Sequence, residues 1–216
     1  MLQTRKEVVF LIMAGIFITS AIVAELISCK IIETPIYPII AGIIPWPVVF
    51  LLTDVMNEYF GKSAVKKLSW ITVGLIAFCF LIVYVAVSLP GSPVSPVSDA
   101  EFSKIFSGSL PIMLGSISAF ILSQLIDVKL FHLFNKWTKG KMIWLRSTGS
   151  TVVSQLVDSY TVLMIGFLLP GKITFTEFLI FGITGYTTKL VLAVLLTPFI
   201  YVMHYFSKSI LGLKQD

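Results

Sequence analysis

The sequence predicts an all-α integral membrane protein with six transmembrane helices, and its composition and hydropathy pattern support that fold class. Of the 216 residues, 56% are hydrophobic and 12% are charged, whereas about 25% are charged in soluble domains. The uncharged runs are continuous and close to the ~20 residues that cross a bilayer as a helix. Strands are not expected, because the runs do not alternate and because open sheet edges are not tolerated in lipid.

Hydrophobic runs predict six spans in what we treat as a single membrane domain, residues 1–216. Four runs contain no charge, and two more qualify if each is allowed one internal ionisable residue, Asp158 or Lys189. The first run reaches Glu25 without a small-residue cleavage site, so we expect a span and not a signal peptide. The predicted helices cover approximately residues 8–27, 36–53, 69–89, 111–134, 148–169 and 177–206.

Lysine and arginine residues in the short loops predict the orientation. If the amino terminus is cytoplasmic, eleven of them face the cytoplasm and only Lys30, Lys104 and Lys172 face outward, as the positive-inside rule requires. Both termini are therefore expected in the cytoplasm (N-in/C-in). The net charge of +5 follows from this distribution, so it does not indicate a nucleic-acid partner.

Prolines interrupt the second predicted span. Pro45 and Pro47 lie inside it, and each removes a backbone hydrogen bond, so this helix is expected to be broken or kinked. Broken helices near the middle of the bilayer expose backbone polar groups to the substrate in many transporters. The alternative is a simple kink that neighbouring helices shield.

The loops on either side of the third span differ in character. The inner loop carries Asp54, Asn57 and Glu58, which share one face if the segment is helical, and Gly61 suits a turn. The outer loop, residues 89–111, is rich in Pro, Ser and Gly. It is expected to be irregular, and few of its features suggest chemistry.

The motif Ser-Gln-Leu-(Ile/Val)-Asp occurs twice, at residues 123–127 and 154–158. On a helix its Ser, Gln and Asp lie within about one hundred degrees of arc, which makes a polar stripe. An Asp in mid-span costs roughly 2.5–3.5 kcal/mol on insertion scales, and such residues almost always face a bundle interior or an aqueous cavity. The repeat therefore predicts two inward-facing polar stripes.

The two stripes are expected to meet. The fourth and fifth spans are consecutive and antiparallel, and Asp127 and Asp158 are symmetric about residues 142 and 143, so the carboxylates should lie at similar depth. Lys189 is the expected counter-ion. One interpretation is an Asp–Lys pair that only holds the bundle together. The other is a polar ligand site, because two carboxylates and one lysine leave a surplus acceptor.

The residue types in these stripes suggest a class of ligand. Carboxylates and carboxamides pair with amidine-like N–H edges, and the 17 Phe and 7 Tyr side chains offer faces for stacking on flat rings. The ligand is therefore expected to be flat and polar, with hydrogen-bond donors. Walker, HExxH, Cys-rich and catalytic Ser/His/Asp patterns do not occur in the sequence, so no enzyme, metal site or cofactor is predicted.

Four segments together resemble the queuosine precursor transporter family, also called the vitamin uptake transporter family. They are, in chain order, LLTDVMNEYFG, SQLIDVKLFH, WLRSTGSTVVSQLVDS and GYTTKLVLA. The resemblance implies a multi-pass protein of the bacterial inner membrane. It also implies import of 7-cyano-7-deazaguanine, 7-aminomethyl-7-deazaguanine or queuine for queuosine modification of tRNA.

Fourteen positions are candidate substrate-binding residues. Those that the resemblance implies are Asp54, Glu58, Gln124, Asp127, Trp144, Arg146, Ser150, Gln155, Asp158 and Lys189. The polar stripes add Ser123 and Ser154, and the first two spans add Glu25 and Trp46. Trp144 is also typical of the aromatic belt at a membrane interface. Glu25 departs from the family pattern, in which Asn is common at this position, and this departure points to a different substrate preference or ion coupling.

The expected arrangement is a secondary transporter whose second, fourth, fifth and sixth spans surround a site near the middle of the bilayer. Its partners are the deazaguanine substrate and the lipid bilayer, with a homo-oligomer as an open alternative. Two other functions stay open. One is the substrate-binding subunit of an energy-coupling factor importer, which needs an ATPase partner, and the other is a structural membrane protein.

Overall fold

The structure, a computed structural model, describes residues 5–34, 38–139 and 149–209, most of which are helical. In chain order the elements are α1 (Arg5–Ile27), β1 (Ile31–Ile32), β2 (Ile39–Ile40), a 3-10 turn (Ala41–Ile43), α2 (Trp46–Ser88), α3 (Asp99–Trp137), α4 (Ser150–Leu163), a π-helical segment (Met164–Leu168) and α5 (Phe175–Ser209).

Several of these helices have the length and composition of membrane spans. Within the described part of the chain, three are long and apolar enough to cross a membrane, namely Arg5–Ile27, Ser63–Ser88 and Asp99–Phe134. Shorter apolar helices cover Ala41–Asn57 and Val152–Leu168. Large exposed apolar patches are typical of surfaces that face lipid, and Leu11, Phe78 and Leu122 are examples of exposed apolar residues. The protein is a multi-pass membrane protein, while the number of six spans and the orientation stay predictions.

The chain divides into two compact units, and the first comprises Met1–Leu81 and Thr188–Asp216. In this unit α1 and the first half of α2 contribute to one apolar core. On α1 its members recur every three or four residues, which places them on one helix face. The core comprises Val9, Met13, Ala14, Phe17, Val49, Leu52, Val55, Met56, Tyr59, Val65 and Leu68.

A short hairpin and the 3-10 turn connect α1 to α2 in the first unit. Strands β1 and β2 pair antiparallel, with Ile31 opposite Ile40, and the Ala41 N–H donates to the Lys30 carbonyl at 2.8 Å. These strands correct the expectation that the chain has none. Thr34, which follows β1, precedes a proline in the sequence, and a residue in that position favours extended backbone.

Helix α2 begins directly after the proline interruption. Its first residue is Trp46, and Pro47 lies in its first turn, where an N–H would have no intrahelical partner in any case. The predicted second span is therefore broken ahead of the helix, and it is continuously helical only from Trp46. Gly61 interrupts α2 with φ 80° and ψ 158°, a conformation that glycine adopts without steric cost.

The second unit, Ile82–Thr187, contains a helix start in the outer loop. Helix α3 begins at Asp99, so the prediction of an irregular loop is wrong for residues 99–111. A capping box starts this helix, because the Ser98 hydroxyl accepts from the Glu101 N–H at 3.3 Å and the Glu101 carboxylate accepts from the Ser98 N–H at 3.0 Å. The Ser-x-x-Glu signature of such a start is present in the sequence.

Helices α3 and α4 pack closely and antiparallel in the second unit. A Cβ on Gly166, in the π-helical segment, would lie 3.1 Å from Cα of Ile112 in α3. A Cβ on Gly115 in α3 would likewise lie 3.1 Å from the Val162 carbonyl oxygen in α4. Further along, Ser154 of α4 reaches Asp127 of α3. Rising residue numbers in one helix thus meet falling numbers in the other, which brings the two repeated motifs to the same region.

Candidate substrate-binding site

The second motif contacts the aspartate of the first. The Ser154 hydroxyl on α4 donates to Oδ1 of Asp127 on α3 at 3.4 Å, which is a long hydrogen bond. Ser154 is 4% exposed, while Asp127 is half-buried. The buried serine therefore approaches the carboxylate from the interior of the unit.

The remaining motif residues differ in exposure. Ser123 is buried, Gln124 and Asp158 are half-buried, and Gln155 is exposed. The Ser123 hydroxyl donates to the Phe120 carbonyl of its own helix at 3.1 Å. The carboxyl and amide groups of the motifs thus keep part of their surface accessible, which a polar ligand requires.

The two aspartates are offset along the helices. Asp127 is level with Ser154, and Asp158 follows Ser154 by four residues, which places both on one face of α4 about 6 Å apart along its axis. The carboxylates therefore lie about one helical turn apart in depth. The expectation that the two aspartates lie at similar depth is therefore wrong by about one turn, because the two helices do not pack in the symmetric register that the sequence spacing assumes.

Two tyrosines hold α5 against α4. The Tyr160 ring lies against Gly182, where a Cβ would overlap the ring, and the Tyr160 hydroxyl donates to the Leu179 carbonyl at 3.1 Å. The Tyr186 hydroxyl donates to the Val152 carbonyl at 3.2 Å. These contacts fix the part of α4 that carries the second motif.

In the first unit, the candidate residues Trp46 and Lys189 form a cation–π pair. The Lys189 Nζ atom lies 5.6 Å from the centroid of the Trp46 ring, within the ~6 Å range of such pairs. The Phe50 ring lies 5.4 Å from the Trp46 ring at an interplanar angle of 35°. All three side chains are half-buried. They place a lysine side chain beside an aromatic surface.

The other candidate residues have varied surroundings. Glu25, near the end of α1, is 7% exposed and Ser150, at the start of α4, is 1% exposed. Asp54 is exposed. The Glu58 side chain and residues Trp144 and Arg146 lie outside the described residues.

The described residues contain no obvious metal centre. Across 5–34, 38–139 and 149–209, no group of three or more His, Cys, Asp or Glu side chains is placed to hold a metal ion. Cys29 and Cys79 are not joined in a disulfide.

Gly42 and Tyr160 make packing contacts that position the candidate residues, although no sequence motif includes either of them. Gly42 lies against Ser28, and a Cβ on Gly42 would lie only 2.7 Å from the Ala24 carbonyl oxygen. The backbone of the turn before Trp46 is therefore in close contact with the end of α1. A glycine in an apolar segment is the signal for such an approach. Tyr160 has no comparable signal, because its partner Gly182 is remote in sequence.

Comparisons with known proteins identify the family. A family model for vitamin uptake transporters matches residues 40–203. The chain is 32% identical over 165 residues to a protein of Bacillus subtilis (strain 168) named "Probable queuosine precursor transporter". That alignment covers 74% of this chain and 69% of the relative. No solved structure matches the chain significantly. With the match over most of its length, the chain belongs to the vitamin uptake transporter family, the queuosine precursor transporters that its motifs resemble.

Proposed function

We propose that this transporter imports a 7-deazaguanine precursor of queuosine across the bacterial inner membrane for tRNA modification. The substrate is 7-cyano-7-deazaguanine, 7-aminomethyl-7-deazaguanine or queuine, and the protein acts as a secondary transporter. The observation that carries the proposal is the 32% identity over 165 residues to a relative whose name specifies a queuosine precursor.

The carboxylates of the second unit suit the proposed substrate. A guanine-type edge presents a ring N–H beside an exocyclic amine, and one carboxylate accepts both donors side by side. Asp127 is oriented by the Ser154 hydroxyl at 3.4 Å and is half-buried, so a ligand in this position is partly withdrawn from water. Asp158 supplies a second acceptor one turn away, and Gln124 and Gln155 orient the base.

Uptake of labelled 7-deazaguanines into bacterial cells that cannot make the precursor tests this proposal. Expression of the protein should confer uptake, and Asp127→Asn or Asp158→Asn should abolish it at normal membrane abundance. Asp99→Asn is the matched control, because Asp99 is an exposed aspartate of the same unit whose carboxylate accepts from the Gly91 N–H at 2.8 Å. Wild-type uptake by both motif variants would overturn the site, and lack of uptake by the wild-type protein would overturn the function.

Reconstitution of the purified protein alone separates the proposed mechanism from its alternatives. A secondary transporter moves 7-deazaguanine into the lumen of liposomes, whereas a substrate-binding subunit only retains it. In a structural membrane protein, Asp127→Asn lowers the unfolding temperature without a selective effect on ligand binding. Accumulation in the lumen, lost in Asp127→Asn, is the expected result.

A further inference from the structure

The two packed helices of the second unit both depart from regular α-helical geometry. Helix α3 contains Pro111, which has no N–H to donate to the carbonyl four residues earlier. Helix α4 continues into the π-helical segment Met164–Leu168, after which the Leu169 N–H donates to the Met164 carbonyl, five residues earlier, at 2.9 Å. Prolines and π-helical segments are the usual places at which helices bend, so each of the two helices has a bending point.

The two bending points are in direct contact. A Cβ on Gly166 would lie 3.1 Å from Cα and 3.2 Å from Cγ1 of Ile112, the residue that follows Pro111. Ile112 is 1% exposed, so this contact is buried. The π-helical segment therefore packs on the turn of α3 that contains the proline, and both helices bend at the same level.

A lysine joins the two helices beyond the bending points. Gly171, in the connection between α4 and α5, has φ 71°, which glycine adopts without steric cost, and the next N–H, that of Lys172, donates to the Phe167 carbonyl at 2.8 Å. This turn brings the Lys172 side chain to α3, where its Nζ donates to the Gly108 carbonyl at 2.8 Å. We call this the outer end of the unit, since the positive-inside pattern predicts that Lys172 faces outward.

The contacts on the two sides of the bending points differ in strength. Toward the repeated motifs, a Cβ on Gly115 would lie 3.1 Å from the Val162 carbonyl oxygen, so the helix backbones are closely packed there. At the outer end Lys172 is exposed, and because water competes for such a hydrogen bond, its net contribution is small. Separation of the two helices therefore costs least at the outer end.

We infer that Pro111 and the π-helical segment Met164–Leu168 form a paired hinge, and that the hydrogen bond from Lys172 to Gly108 is the latch of an outer gate. When the latch opens, the outer end of α3 swings away from the connection between α4 and α5, while the part of the unit that carries the repeated motifs stays packed. The inference rests on the proposed function and deepens it, because it names the residues that admit an imported substrate from outside.

A cysteine at position 109 reports the opening of the gate. Ser109 is 0% exposed and lies between Gly108 and Pro111, on the outer side of the hinge, and cysteine is close to serine in size. With Cys29 and Cys79 replaced by alanine, the rate at which a membrane-impermeant methanethiosulfonate modifies Ser109→Cys is measured in lipid nanodiscs, where the reagent reaches both faces. The closed gate buries the thiol, so this rate follows the fraction of protein that is open.

Removal of the latch should increase the fraction of open protein. Lys172→Met should raise the rate of modification about threefold or more, because the hydrogen bond to Gly108 is lost while the hinge is intact. Lys172→Arg keeps a donor at this position and should restore most of the wild-type protection.

Stiffening of the hinge should have the opposite effect. In Pro111→Ala the new N–H can donate to the Ser107 carbonyl, so bending of α3 then breaks a helical hydrogen bond, and the rate of modification of Ser109→Cys should fall about threefold or more. The same variant should lower kcat for uptake of 7-cyano-7-deazaguanine into proteoliposomes, because opening is a step of the transport cycle. Its Kd for this probe should stay within about twofold of the wild-type value, since the motif residues are unchanged.

Three matched variants serve as controls. Lys104 is another exposed lysine at the outer end of α3, and Lys104→Met should leave the rate unchanged. Leu114 is 45% exposed and lies three residues after Pro111, so Leu114→Ala changes α3 without a change in its backbone hydrogen bonds and should also leave the rate unchanged. Ser159, on the motif-bearing part of α4, is 7% exposed, and Ser159→Cys should stay protected in every variant.

The outcomes distinguish the inference from the proposed function. Opposite changes in Lys172→Met and Pro111→Ala, with Ser159→Cys protected, support the gate. Equal rates in the wild-type protein and both variants, changes of the same sign, or an equal rise at Ser109→Cys and Ser159→Cys would overturn it, even where the wild-type protein imports 7-deazaguanine. Lack of uptake by the wild-type protein would overturn the proposed function, whatever the rates of thiol modification.

Discussion

The Ser154 hydroxyl lies 3.4 Å from Oδ1 of Asp127, so the serine of one repeated motif reaches the carboxylate of the other. Removing this hydroxyl in Ser154→Ala should raise KM for 7-deazaguanine about two- to tenfold, because a hydrogen bond to a charged group contributes up to about 1.5–3 kcal/mol and this one is long. The measurement is the concentration dependence of uptake into proteoliposomes.

A neighbouring serine serves as the control for this prediction. The Ser159 hydroxyl donates to the Gln155 carbonyl of its own helix at 3.0 Å, and Ser159, like Ser154, is buried. Ser159→Ala should leave KM within about twofold of the wild-type value, because surplus local hydrogen bonds contribute little net free energy. Equal changes in the two variants would contradict a specific role for the Ser154–Asp127 contact.

The contact between Tyr160 and Gly182 predicts a loss of stability on a small substitution. In Gly182→Ala the added methyl group overlaps the Tyr160 ring, so the ring must move and its hydrogen bond to the Leu179 carbonyl, 3.1 Å long, is broken. Overpacking of this kind costs about 1–3 kcal/mol. Thermal unfolding of the purified protein in detergent should show a lower midpoint.

Gly185→Ala is the matched control on the same helix. A Cβ at Gly185 meets nothing within 4 Å, so this variant should gain up to about 1 kcal/mol from the higher helix propensity of alanine. A midpoint for Gly182→Ala that equals or exceeds that of Gly185→Ala would contradict the close contact.

The meeting of the two motifs follows from the sequence, but their exact register does not. Matching polar stripes on consecutive antiparallel helices predict that the first and second motifs approach each other, and Ser154 contacts Asp127. The offset of about one turn to Asp158 depends on the register in which α3 and α4 approach each other, with Gly166 against Ile112 and Gly115 against Val162. That approach is a long-range packing relation, which helical periodicity does not contain.

The start of α3 and the turn before Trp46 could not be predicted from the sequence, for two different reasons. The sequence contains a capping signature at Ser98 and Glu101, which predicts a helix start. The surrounding Pro-rich composition predicts a loop instead, so the two local signals conflict. The contact of Gly42 with Ser28 joins residues on either side of a hairpin. The prolines predict the interruption before Trp46. The part of α1 against which the turn packs depends on the folding of the whole segment and cannot be read from the local sequence.

Gly42 is expected to be intolerant of any side chain. In Gly42→Ala the new Cβ would overlap the Ser28 hydroxyl and lie 2.7 Å from the Ala24 carbonyl oxygen. Because the second neighbour is backbone, the turn must shift away from α1, and overpacking should cost about 1–3 kcal/mol. Thermal unfolding measures the loss, and fluorescence of a variant that keeps only Trp46 should report the displaced turn.

Gly15→Ala is the control for the Gly42 substitution. Gly15 lies in α1 of the same unit, and a Cβ there meets nothing within 4 Å. The Gly15→Ala variant should unfold at or above the wild-type temperature, and its Trp46 fluorescence spectrum should be unchanged. If Gly42→Ala behaves in the same way, the turn does not depend on this close approach.

The capping box of α3 predicts a dependence of stability on pH. Hydrogen bonds from the side chain and then the backbone of Ser98 lower the pKa of Glu101 below its ordinary value of 4.5. A carboxyl group whose pKa is lower in the folded state stabilises the fold at neutral pH, and this contribution is lost as the pH falls through 4.5 and below. Glu101→Gln should therefore lower the unfolding midpoint at neutral pH and flatten its decline between about pH 6 and 3.

Ser98→Ala tests whether the two residues act as one unit. Its hydroxyl both donates to the Glu101 carboxylate at 2.6 Å and accepts from the Glu101 N–H at 3.3 Å, so its removal breaks the box from the other side. Residues that share one hydrogen-bond network have non-additive effects on stability. The double variant Ser98→Ala/Glu101→Gln should therefore unfold close to the less stable single variant at neutral pH. Fully additive losses, or an unchanged pH profile in Glu101→Gln, would show that the box does not stabilise the start of α3.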